Sequence, residues 1–486
     1  MIKKNSKTRG LVLINVLVFG VVAVIVTTSL ANWAGVMLKN TRQLGVREQA
    51  IQIAEAGVDY YRWHLAHSPN DYKDGTATTT NGPFVHDFKD KDGNIIGKFS
   101  LMITPPPTGS TLIKIKSTGT VLSDPSVQRS IQVSMAIPSL ARFAMVTNSV
   151  VYYGAGEEIF GPIHSNNGVG FLSGTPAPKV HNLVTSALST FNPGSGLKLG
   201  VYTSVPTADP NPTTTVAQVI PNRPDVFMGG RQFPVAVVDF TSITSDLSGL
   251  KTSAQSSGFY RASSGGSGYK VVLKTNDTFD LYKVNSLLPA PGGCTNSQNQ
   301  TGWGTWSINT TGSATTFLGN YAFPSNGIMF FEDHVWVEGQ INVARLTIAA
   351  GVFPVNSSTY KNIIVNNNLL YTNFDGTDAI GLIAQGDFLI GLSSANNLTI
   401  DGALIAQNGS TRRYYYNSSC GTGVRNTLTT YGMFGSNGQG YFSYGTNVSG
   451  YNNQPATYDA NFLYAPPPNF PLTSSQYSIL SWEEVK

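Results

Sequence analysis

An apolar run near the N-terminus is the first pattern in the chain. Hydrophobic residues dominate from Leu11 to Val26, and no charged side chain occurs between Arg9 and Lys39. This stretch is long enough for the roughly 20 residues that a helix needs to cross the hydrocarbon core of a bilayer. The residues before it are basic and lack acids, which favours a cytoplasmic location for that end. The pattern predicts a single-pass membrane protein with the rest of the chain outside the cytoplasm.

The helical pattern continues well beyond a membrane span. The first proline is Pro69, so nothing breaks a helix from Leu11 to about His67. At about 1.5 Å per residue this helix would be roughly 85 Å long, nearly three times the hydrocarbon thickness of a bilayer. Apolar residues recur along it at every seventh position, namely Val16, Ala23, Leu30, Met37, Leu44, Ile51, Val58 and Leu65. We expect the surplus length and this stripe to mediate assembly with helices of other subunits.

Strict alternation of apolar and polar residues follows a linker at about 68–81. Three alternating runs include Phe99, Ile113 and Ile131, and turn-forming residues separate them. A period of two is typical of strands with one buried face. The sequence therefore predicts a small antiparallel sheet, about 83–138, that packs on the helix.

From about residue 141 the pattern changes to short apolar runs separated by glycine and asparagine. The core motif repeats as IAAG at Ile348, IAQG at Ile383 and IAQNG at Ile405. Weak repetition of this kind favours a parallel β-helix, or solenoid. We predict an α+β protein: a long N-terminal helix (11–67), the small antiparallel sheet, and a large β-rich domain of parallel β-helix character (141–465). An irregular insertion is expected at about 172–327, and an extended tail at 466–486.

Composition adds two constraints. Only 12% of residues are charged and 50 are glycine, a balance that favours short strands and tight turns. The net charge of +4 is too small and diffuse to indicate a nucleic-acid partner. Cys294 and Cys420 are too far apart in sequence for a C-x-x-C metal or redox site, and they form either one disulfide or two separate thiols.

Catalytic chemistry has little support in the sequence. No H-E-x-x-H, G-x-S-x-G, P-loop or dinucleotide motif is present, and the six histidines are scattered. We therefore expect no enzyme activity, no cofactor and no metal site. Two acidic groups are candidates for a polysaccharide site: Glu157, Glu158 and His164, and Glu332, Asp333, His334 and Glu338. His334, Trp336 and Glu338 would share one strand face as a sugar-stacking row, although a solvated strand face explains the same pattern.

The N-terminal segment resembles the class III signal of type IV prepilins and pseudopilins. The resemblance rests on a short basic leader that ends in Gly10, followed by an apolar helix that is retained. It implies that prepilin peptidase cleaves after Gly10 and leaves Leu11 as an N-methylated mature terminus, so that residues 1–10 are the leader. The stretch VREQAIQIAEAGVDYYRWHL also resembles minor pilins of the PilX-like class. Farther along, GPIHSNNG and FFEDHVWVEG resemble a family of bacterial exported proteins that brings no established activity with it.

One position departs from the family pattern. Most members carry Glu at the fifth mature position, where it neutralises the N-terminal ammonium of a neighbouring subunit; here that position is Asn15. A carboxylate in lipid is costly without a partner, so a subunit with no neighbour above it gains nothing from one. Asn15 therefore favours a place near the filament tip. The alternative is that Asn15 acts as a hydrogen-bonding substitute within the shaft.

These features predict a structural subunit of a type IV pilus or pseudopilus, specifically a minor, tip-proximal pilin with an adhesive domain. The expected partners are other pilins or pseudopilins, prepilin peptidase, an assembly platform, membrane lipid, and a surface glycan or protein ligand bound through aromatic loops at 412–419 and 440–445. The protein would reside in the cytoplasmic membrane, with its C-terminal domain extracytoplasmic and at the cell surface after assembly. The alternatives are a membrane-anchored polysaccharide-active β-helix protein and a surface scaffold outside any filament.

Overall fold

The computed structural model describes residues 8–106, 110–212, 219–463, 465–474 and 476–485, with the backbone alone for residues 8–11, 242, 244 and 245. Residues 1–7 of the expected leader lie outside this description. The chain divides into two compact units. The helix–sheet unit contains the chain up to Pro105, Ile113–Met135, and the chain from Ile479 onward. The β-rich unit contains Pro106–Leu112 and Ala136–Ser478.

A single long helix, α1, begins the described chain and spans Thr8–His67. The absence of proline before Pro69 leaves its backbone hydrogen bonds uninterrupted. The prediction of one long N-terminal helix is confirmed.

The helix–sheet unit also contains a five-stranded sheet. Its strands, in spatial order, are β1 (Phe84–Lys89), β2 (Ile95–Thr104), β3 (Ile113–Val121), β4 (Asp124–Ala136) and β32 (Ser478–Val485). The pairs β1–β2, β2–β3 and β3–β4 are antiparallel. Alternate side chains are buried, including Leu101, Ile115 and Val133, as the period-two pattern predicts.

The β-rich unit is built around parallel ladders. Ten strands make the first ladder, in the spatial order β16 (Phe259–Arg261), β20 (Ile328–Phe331), β22 (Arg345–Ala350), β25 (Ala379–Ala384), β27 (Asn397–Ala406), β29 (Val424–Ser436), β5 (Met145–Thr147), β8 (Ile163–Ser165), β11 (Val184–Ser186) and β15 (Arg231–Gln232). The early strand β5 therefore stacks on the late strand β29, with Met145 paired to Phe434.

Two further parallel ladders run beside the first. The second ladder contains β17 (Gly268–Leu273), β21 (Val335–Gln340), β23 (Ile363–Ile364), β26 (Phe388–Ile390) and β28 (Thr411–Arg413). The third ladder joins the C-terminal end of β21 to β24 (Leu369–Leu370), the N-terminal parts of β27 and β29, β30 (Gly450–Asn453) and β31 (Ala456–Tyr458). A separate parallel sheet contains β6 (Val151–Tyr153), β9 (Val169–Phe171) and β14 (Val201–Thr203).

The remaining elements surround these ladders. Two of them are short pairs: β7 (Glu158–Ile159) with β10 (Lys179–Val180), which is parallel, and β12 (Thr190–Phe191) with β13 (Lys198–Leu199), which is antiparallel. The antiparallel strands β18 (Thr278–Val284) and β19 (Thr315–Ala322) extend β17. The second helix is α2 (Ser242–Ser257). Thr241 is the N-cap residue of α2. The α+β class is therefore confirmed, with antiparallel and parallel sheets.

Both faces of the first ladder are buried. On one face, Ile348, Leu382 and Leu404 belong to the largest apolar core. On the other face, Ile383 and Ile405 belong to a second core that also contains apolar residues of α2 and Phe470. Burial on two faces explains why these strands read as continuous apolar runs and not as alternating ones.

Two predicted segments have more order than expected. The region at about 172–327 was expected to be an irregular insertion, yet it supplies β11, β15, β16 and β17 to the ladders and β14 to the separate parallel sheet. Apart from β17, these strands have only two or three residues, too few to give a clear period in the sequence. The tail at 466–486 is not only a surface segment: Pro466–Pro468 are buried, and its end forms β32.

Candidate functional site

The first half of α1 exposes an apolar surface. Large apolar side chains between Val12 and Leu44 range from 49% exposed at Val22 to 73% exposed at Phe19. The most apolar 18-residue window has a mean hydropathy of 2.5, and none of it is buried within the chain. By length and composition this helix can cross a membrane. An apolar surface of this extent requires cover from lipid or from other proteins.

Three threonines in the exposed part of α1 bond to the backbone of the helix itself. The hydroxyls of Thr27, Thr28 and Thr41 donate to the carbonyl oxygens of Ala23, Val24 and Met37, at 2.7, 2.5 and 2.9 Å. A hydroxyl bonded to a carbonyl four residues earlier needs no water, so these threonines are compatible with an apolar environment.

The predicted processing and assembly residues lie along this helix. Gly10 and Leu11 belong to the first turns of α1, and Asn15 is exposed a turn later. In the apolar stripe, whose members recur at every seventh position, Val16, Leu30, Met37 and Leu44 are between 51% and 65% exposed.

The last members of the stripe have another environment. Ile51 is half-buried, whereas Val58 and Leu65 are 4% and 1% exposed. Together with Ala54 and Tyr61 they belong to the face of α1 that is buried in the helix–sheet unit. The members of the stripe that stay exposed are therefore those from Val16 to Leu44.

Glycines allow α1 to lie close to the sheet. A Cβ atom on Gly119 of β3 would collide with the carbonyl oxygen of Ala50 and lie 2.6 Å from the backbone nitrogen of Ala54. A Cβ on Gly97 of β2 would collide with the side chain of Ile53. A side chain at Gly119 would push the helix away from the sheet, because the atoms it meets are backbone atoms, whereas the end of the Ile53 side chain could move aside.

A loop after α1 holds its C-terminal end. The hydroxyl of Tyr61 donates to the carbonyl oxygen of Asp71 at 2.9 Å, and the Nε2 atom of His64 lies 3.0 Å from the Asp71 carboxylate. Partial burial disfavours ionisation of that carboxylate, but hydrogen bonds from the Lys73 and Gly75 amides and from His64 outweigh it and lower the pKa of Asp71. His64 and His67 thus have local structural contacts, the latter with the carbonyl oxygen of Trp63 at 2.8 Å.

The first acidic group, Glu157, Glu158 and His164, has separate partners. The Glu157 carboxylate accepts a hydrogen bond from the Gly154 amide, and Glu158 pairs with His181 at 2.7 Å. His164 is 2% exposed, with ring nitrogens 2.9 Å from the side-chain oxygens of Thr185 and Asn166. Burial lowers the pKa of His164, which favours the neutral ring.

The second acidic group is also divided among separate partners. Glu332 pairs with Lys251 and accepts from the Tyr260 hydroxyl at 2.8 Å, whereas Glu338 pairs with Lys270 at 2.8 Å. Asp333 is 3% exposed and accepts hydrogen bonds from Ser264.

His334 is held as a neutral side chain. Its Nδ1 atom accepts a hydrogen bond from the Asn362 amide at 3.0 Å. Burial, with a smaller contribution from Lys361, lowers the pKa of His334 to about 4, and the charge of Asp333 opposes this shift. A ring with one nitrogen occupied and a pKa this low is poorly suited to proton transfer near neutral pH.

The sugar-stacking row expected at His334, Trp336 and Glu338 is not available on the surface. Trp336 is 3% exposed, and its indole N–H donates to the carbonyl oxygen of Trp306 at 3.0 Å. Residues from 287–308 belong to the same apolar cluster and cover this face of the second ladder. A disulfide between Cys294 and Cys420, with Cα atoms 4.4 Å apart, lies in that cluster.

The two predicted aromatic loops differ in exposure. In the loop at 412–419, Tyr414 and Tyr416 are fully buried, so they act as core residues. In the loop at 440–445, Tyr441 is 43% exposed and Tyr444 is half-buried. Only the second loop presents a substantially exposed tyrosine to solvent.

Two shallow surface depressions lie where the second ladder meets the third. One has a volume of 460 Å³ and is lined by Leu273, Lys274, Thr275, Asn276 and Gln340. The other, of 350 Å³, includes Glu338, Asn367 and Asn368. Within the described residues no group of three or more His, Cys, Asp or Glu side chains could hold a metal ion.

A pair of buried carboxylates makes the stability of the β-rich unit depend on pH. Asp401 and Asp459 are 2% and 1% exposed, and Asp401 accepts a hydrogen bond from the Tyr371 amide at 2.9 Å. Burial raises the pKa of Asp401 to about 6; the Tyr371 amide opposes the shift, and Asp459 adds to it. Burial also raises the pKa of Asp459.

An Asp401→Asn variant is expected to become more stable than the wild type as pH rises. The folded-state pKa of about 6 exceeds the ordinary value of 3.8, so the stabilising contribution of protonation is present below about pH 4 and is lost as pH rises through 6. Calorimetry of the detergent-solubilised protein should show the difference in melting temperature growing by a few degrees between pH 4.5 and 7.5.

The control is Asp277→Asn, at an exposed turn between β17 and β18. Because Asp277 is exposed, its replacement removes no buried charge, and the variant serves as the reference for Asp401→Asn. A constant difference in melting temperature for Asp401→Asn would contradict the buried-carboxylate interpretation.

The described structure is that of an α+β protein with one N-terminal helix of membrane-spanning length. No protein-family model matches the chain. No curated protein matches it either. Among solved structures, the chain is similar to the crystal structure of the competence-associated pilin ComZ from Thermus thermophilus, with a TM-score of 0.32 and 14% identity, over 90% of this chain and 97% of that chain. At that TM-score the similarity carries no argument about this chain.

Proposed function

We propose that the protein is a structural subunit of a type IV pilus or pseudopilus. One observation carries the proposal: α1 is continuous over 60 residues, yet its two halves have opposite environments. The first half exposes its apolar side chains, whereas one face of the second half, with Val58, Tyr61 and Leu65, is buried in the helix–sheet unit. A simple membrane anchor needs only about 20 residues and no rigid continuation into a folded unit.

The exposed half of α1 has two successive partners in this proposal. Before assembly, lipid covers the residues from Val12 to Leu44. During assembly, helices of other pilins or pseudopilins replace the lipid, and Val16, Leu30, Met37 and Leu44 make these contacts. Close packing of such helices is favoured by van der Waals contact, since lipid and neighbouring helices are similarly apolar.

The finer parts of the proposal follow the sequence features at the N-terminus. Prepilin peptidase removes residues 1–10, Leu11 becomes the methylated terminus, and the assembly platform then takes up the subunit. Asn15 in place of a carboxylate supports a minor pilin near the tip, because the subunit there has no neighbour above it to neutralise.

The β-rich unit is the part that we propose to be displayed outside the cell. Its stacked parallel ladders support a solenoid-like domain, for which we keep the boundaries 141–465. The disulfide between Cys294 and Cys420 suits an oxidising, extracytoplasmic location. We propose a binding role and not a catalytic one, since the candidate acids and histidines have separate structural partners.

Photo-crosslinking in cells tests this function directly. A photoreactive benzoylphenylalanine at Leu30, which is 56% exposed, should give an adduct with another pilin-type subunit upon irradiation. Mass spectrometry of the adduct identifies the partner. The same residue at Phe374, which is 54% exposed in the β-rich unit, is the matched control and should give no adduct with a membrane helix.

The outcome that rejects the proposal is also specific. If the protein is in the membrane fraction but the Leu30 probe reacts only with lipid, α1 is an anchor and not an assembly helix. The protein would then be a static surface scaffold.

A further inference from the structure

We propose that charged side chains on α1 align a second copy of the protein beside the first, displaced by about 20 Å along the helix axis. The inference rests on the proposed function for the placement of α1 among other helices, and it adds one partner and the axial offset at which that partner binds. The groups concerned are the basic pair, Lys39 and Arg42, and the acidic row, Glu48, Glu55 and Asp59.

The basic pair and the acidic row occupy successive parts of α1. Both members of the basic pair are exposed just beyond the apolar run, and all three members of the acidic row are exposed farther toward the C-terminal end of the helix. The centres of the two groups are about 20 Å apart along the axis, at about 1.5 Å per residue. A neighbouring copy must therefore be displaced by this distance for its basic pair to reach the acidic row.

The two groups also project from opposite sides of the helix. Each residue turns the side-chain direction by about 100°, so Glu48, nine residues after Lys39, points about 180° away from it. Glu55 and Asp59 lie within about 20° of the direction of Glu48, and Arg42 lies about 60° from that of Lys39. The centres of the two groups are thus about 150° apart around the axis. One copy can therefore contact one neighbour on each side.

The helix–sheet unit leaves the acidic row uncovered. Ala50, Ile53 and Tyr61 are 0% exposed on the face that packs on the sheet, and they project from the side of α1 opposite to Glu48. The acidic row therefore faces away from the sheet. A helix of another subunit can approach the row without displacing the sheet.

The charges of this part of α1 have no ion-pair partner among the described residues of the chain. Seven charged side chains occur from Lys39 to Arg62, and none of them forms an ion pair within that description. Glu55 and Asp59 are four residues apart, a spacing at which like charges destabilise an isolated helix. A solvated helix is stabilised by opposite charges at the same spacing. The arrangement therefore suits a partner outside the subunit.

The side of α1 that carries the basic pair allows a second helix to approach closely. Thr28 and Gly35 lie within about 10° of the direction of the centre of the pair. A Cβ atom on Gly35 would meet nothing within 4 Å, and the Thr28 hydroxyl donates to the Val24 carbonyl oxygen. Small residues let neighbouring membrane helices pack closely. The basic pair can consequently come within reach of the acidic row of the next copy.

A second copy supplies both complementary groups. Both copies enter the membrane with the same end, so their helices are parallel, and the charges fix the offset between them. The basic pair of one copy lies beside the acidic row of the next, whose own basic pair stays free for a further copy. Such a head-to-tail contact does not close and produces a run of subunits along an axis. A short run near the filament tip is consistent with the proposed function.

Photo-crosslinking between two differently tagged copies in cells tests the proposal. A photoreactive benzoylphenylalanine replaces Gln52, which is exposed between Glu48 and Glu55. We expect an adduct between the two copies, and mass spectrometry should locate it near Lys39 and Arg42 of the second copy. The same probe at Val85, which is 58% exposed on β1, is the control and should give no adduct with a second copy.

Reversal of charge distinguishes pairing from a merely structural role. A Lys39→Glu/Arg42→Glu variant and a Glu55→Lys/Asp59→Lys variant should each lose the adduct about fivefold when expressed alone, because like charges then face each other. When the two variants are expressed together, opposite charges face each other again, and about half or more of the wild-type adduct should return. Arg47→Glu is the matched control, since Arg47 lies to the side of both groups, and it should leave the adduct unchanged. All variants should be present in the membrane fraction in equal amounts.

Failure of this proposal and failure of the pilus proposal are distinguishable. Absence of an adduct at Gln52, or no recovery when the two reversed variants are expressed together, would overturn the proposed contact between copies. An adduct only with a different pilin-type subunit would also overturn it by assigning another partner, and would leave the pilus proposal intact. A probe at Leu30 that reacts only with lipid rejects the pilus proposal itself.

Discussion

Replacement of Arg413 by methionine is expected to lower the free energy of unfolding of the β-rich unit by about 2–4 kcal/mol. Arg413 is 0% exposed, and no carboxylate among the described residues pairs with its charge. Its guanidinium donates to four backbone carbonyl oxygens, those of Gly391, Leu392, Thr422 and Gly423, at 2.8, 3.3, 3.1 and 3.2 Å. Methionine would remove the donor from the carbonyl oxygens of Gly391 and Thr422, whereas that of Leu392 keeps a bond from Arg425 and that of Gly423 keeps one from the Gly450 amide.

The environment of Arg413 explains why the charge is tolerated. Its guanidinium carbon lies 4.8 Å from the centre of the Tyr416 ring and 5.9 Å from that of Tyr451. Burial lowers the pKa of Arg413 to about 10, so the side chain remains protonated at neutral pH. Lysine cannot reproduce this fork of donors, and Arg413→Lys should recover only part of the loss.

Arg412→Met is the matched control on the same strand. Arg412 is partly exposed and pairs with Asp387, which also accepts a hydrogen bond from the Ser410 amide at 2.7 Å. We expect its loss to cost about 1 kcal/mol, measured for both variants by urea unfolding of the detergent-solubilised protein. Equal losses for Arg412→Met and Arg413→Met would contradict the role assigned to Arg413.

Gly119→Ala is expected to destabilise the helix–sheet unit by about 2–4 kcal/mol. The added methyl group would collide with the backbone of α1 at Ala50 and Ala54, and backbone atoms cannot move aside as a flexible side chain can. The helix must therefore separate from β3, which loosens the packing of Val58 and Tyr61. Calorimetry and the rate of tryptic cleavage in the second half of α1 measure this effect.

Gly45→Ala supplies a control of opposite sign. Gly45 lies in the exposed part of α1, and a Cβ atom there would meet nothing within 4 Å. Alanine in a helix interior is favoured over glycine by roughly 0.5–1 kcal/mol, so this variant should be slightly more stable. A Gly119→Ala protein as stable as Gly45→Ala would show that the helix and sheet are not in close backbone contact.

The helix and the small sheet could be predicted because their signals are local. A proline-free stretch up to Pro69 and the alternation around Phe99, Ile113 and Ile131 each report on the backbone that carries them. The apolar stripe of α1 did not indicate where along the helix its residues change from exposed to buried. Leu44 and Val58 are equally apolar, and only the folded sheet distinguishes the exposed residue from the buried one.

The repeat motif of the β-rich unit predicts only part of the strand register. Ile383 pairs with Ile405, as the motifs IAQG and IAQNG suggest, but Ile348 of IAAG pairs with Leu382. This shift of one residue places Ile348 and Ile383 on opposite faces of the ladder. The neighbour relation between β5 and β29 leaves no local signal at all, since the strands lie at opposite ends of the unit in sequence.

The sugar-stacking row was expected at the surface, but its Trp336 is buried for a related reason. Alternation correctly separates Trp336 from Val335 and Val337, but it cannot tell whether a distant segment covers the outer face. Here the segment with Cys294 does so.

The N-terminus of the protein taken from cells tests the central claim most directly. The account predicts that intact-mass and N-terminal analysis of the membrane-extracted protein gives a chain that starts at Leu11, methylated on its amino group and retaining the whole apolar helix. A chain that still begins at Met1, or one cut beyond the apolar run, would contradict the assignment to a pilus or pseudopilus.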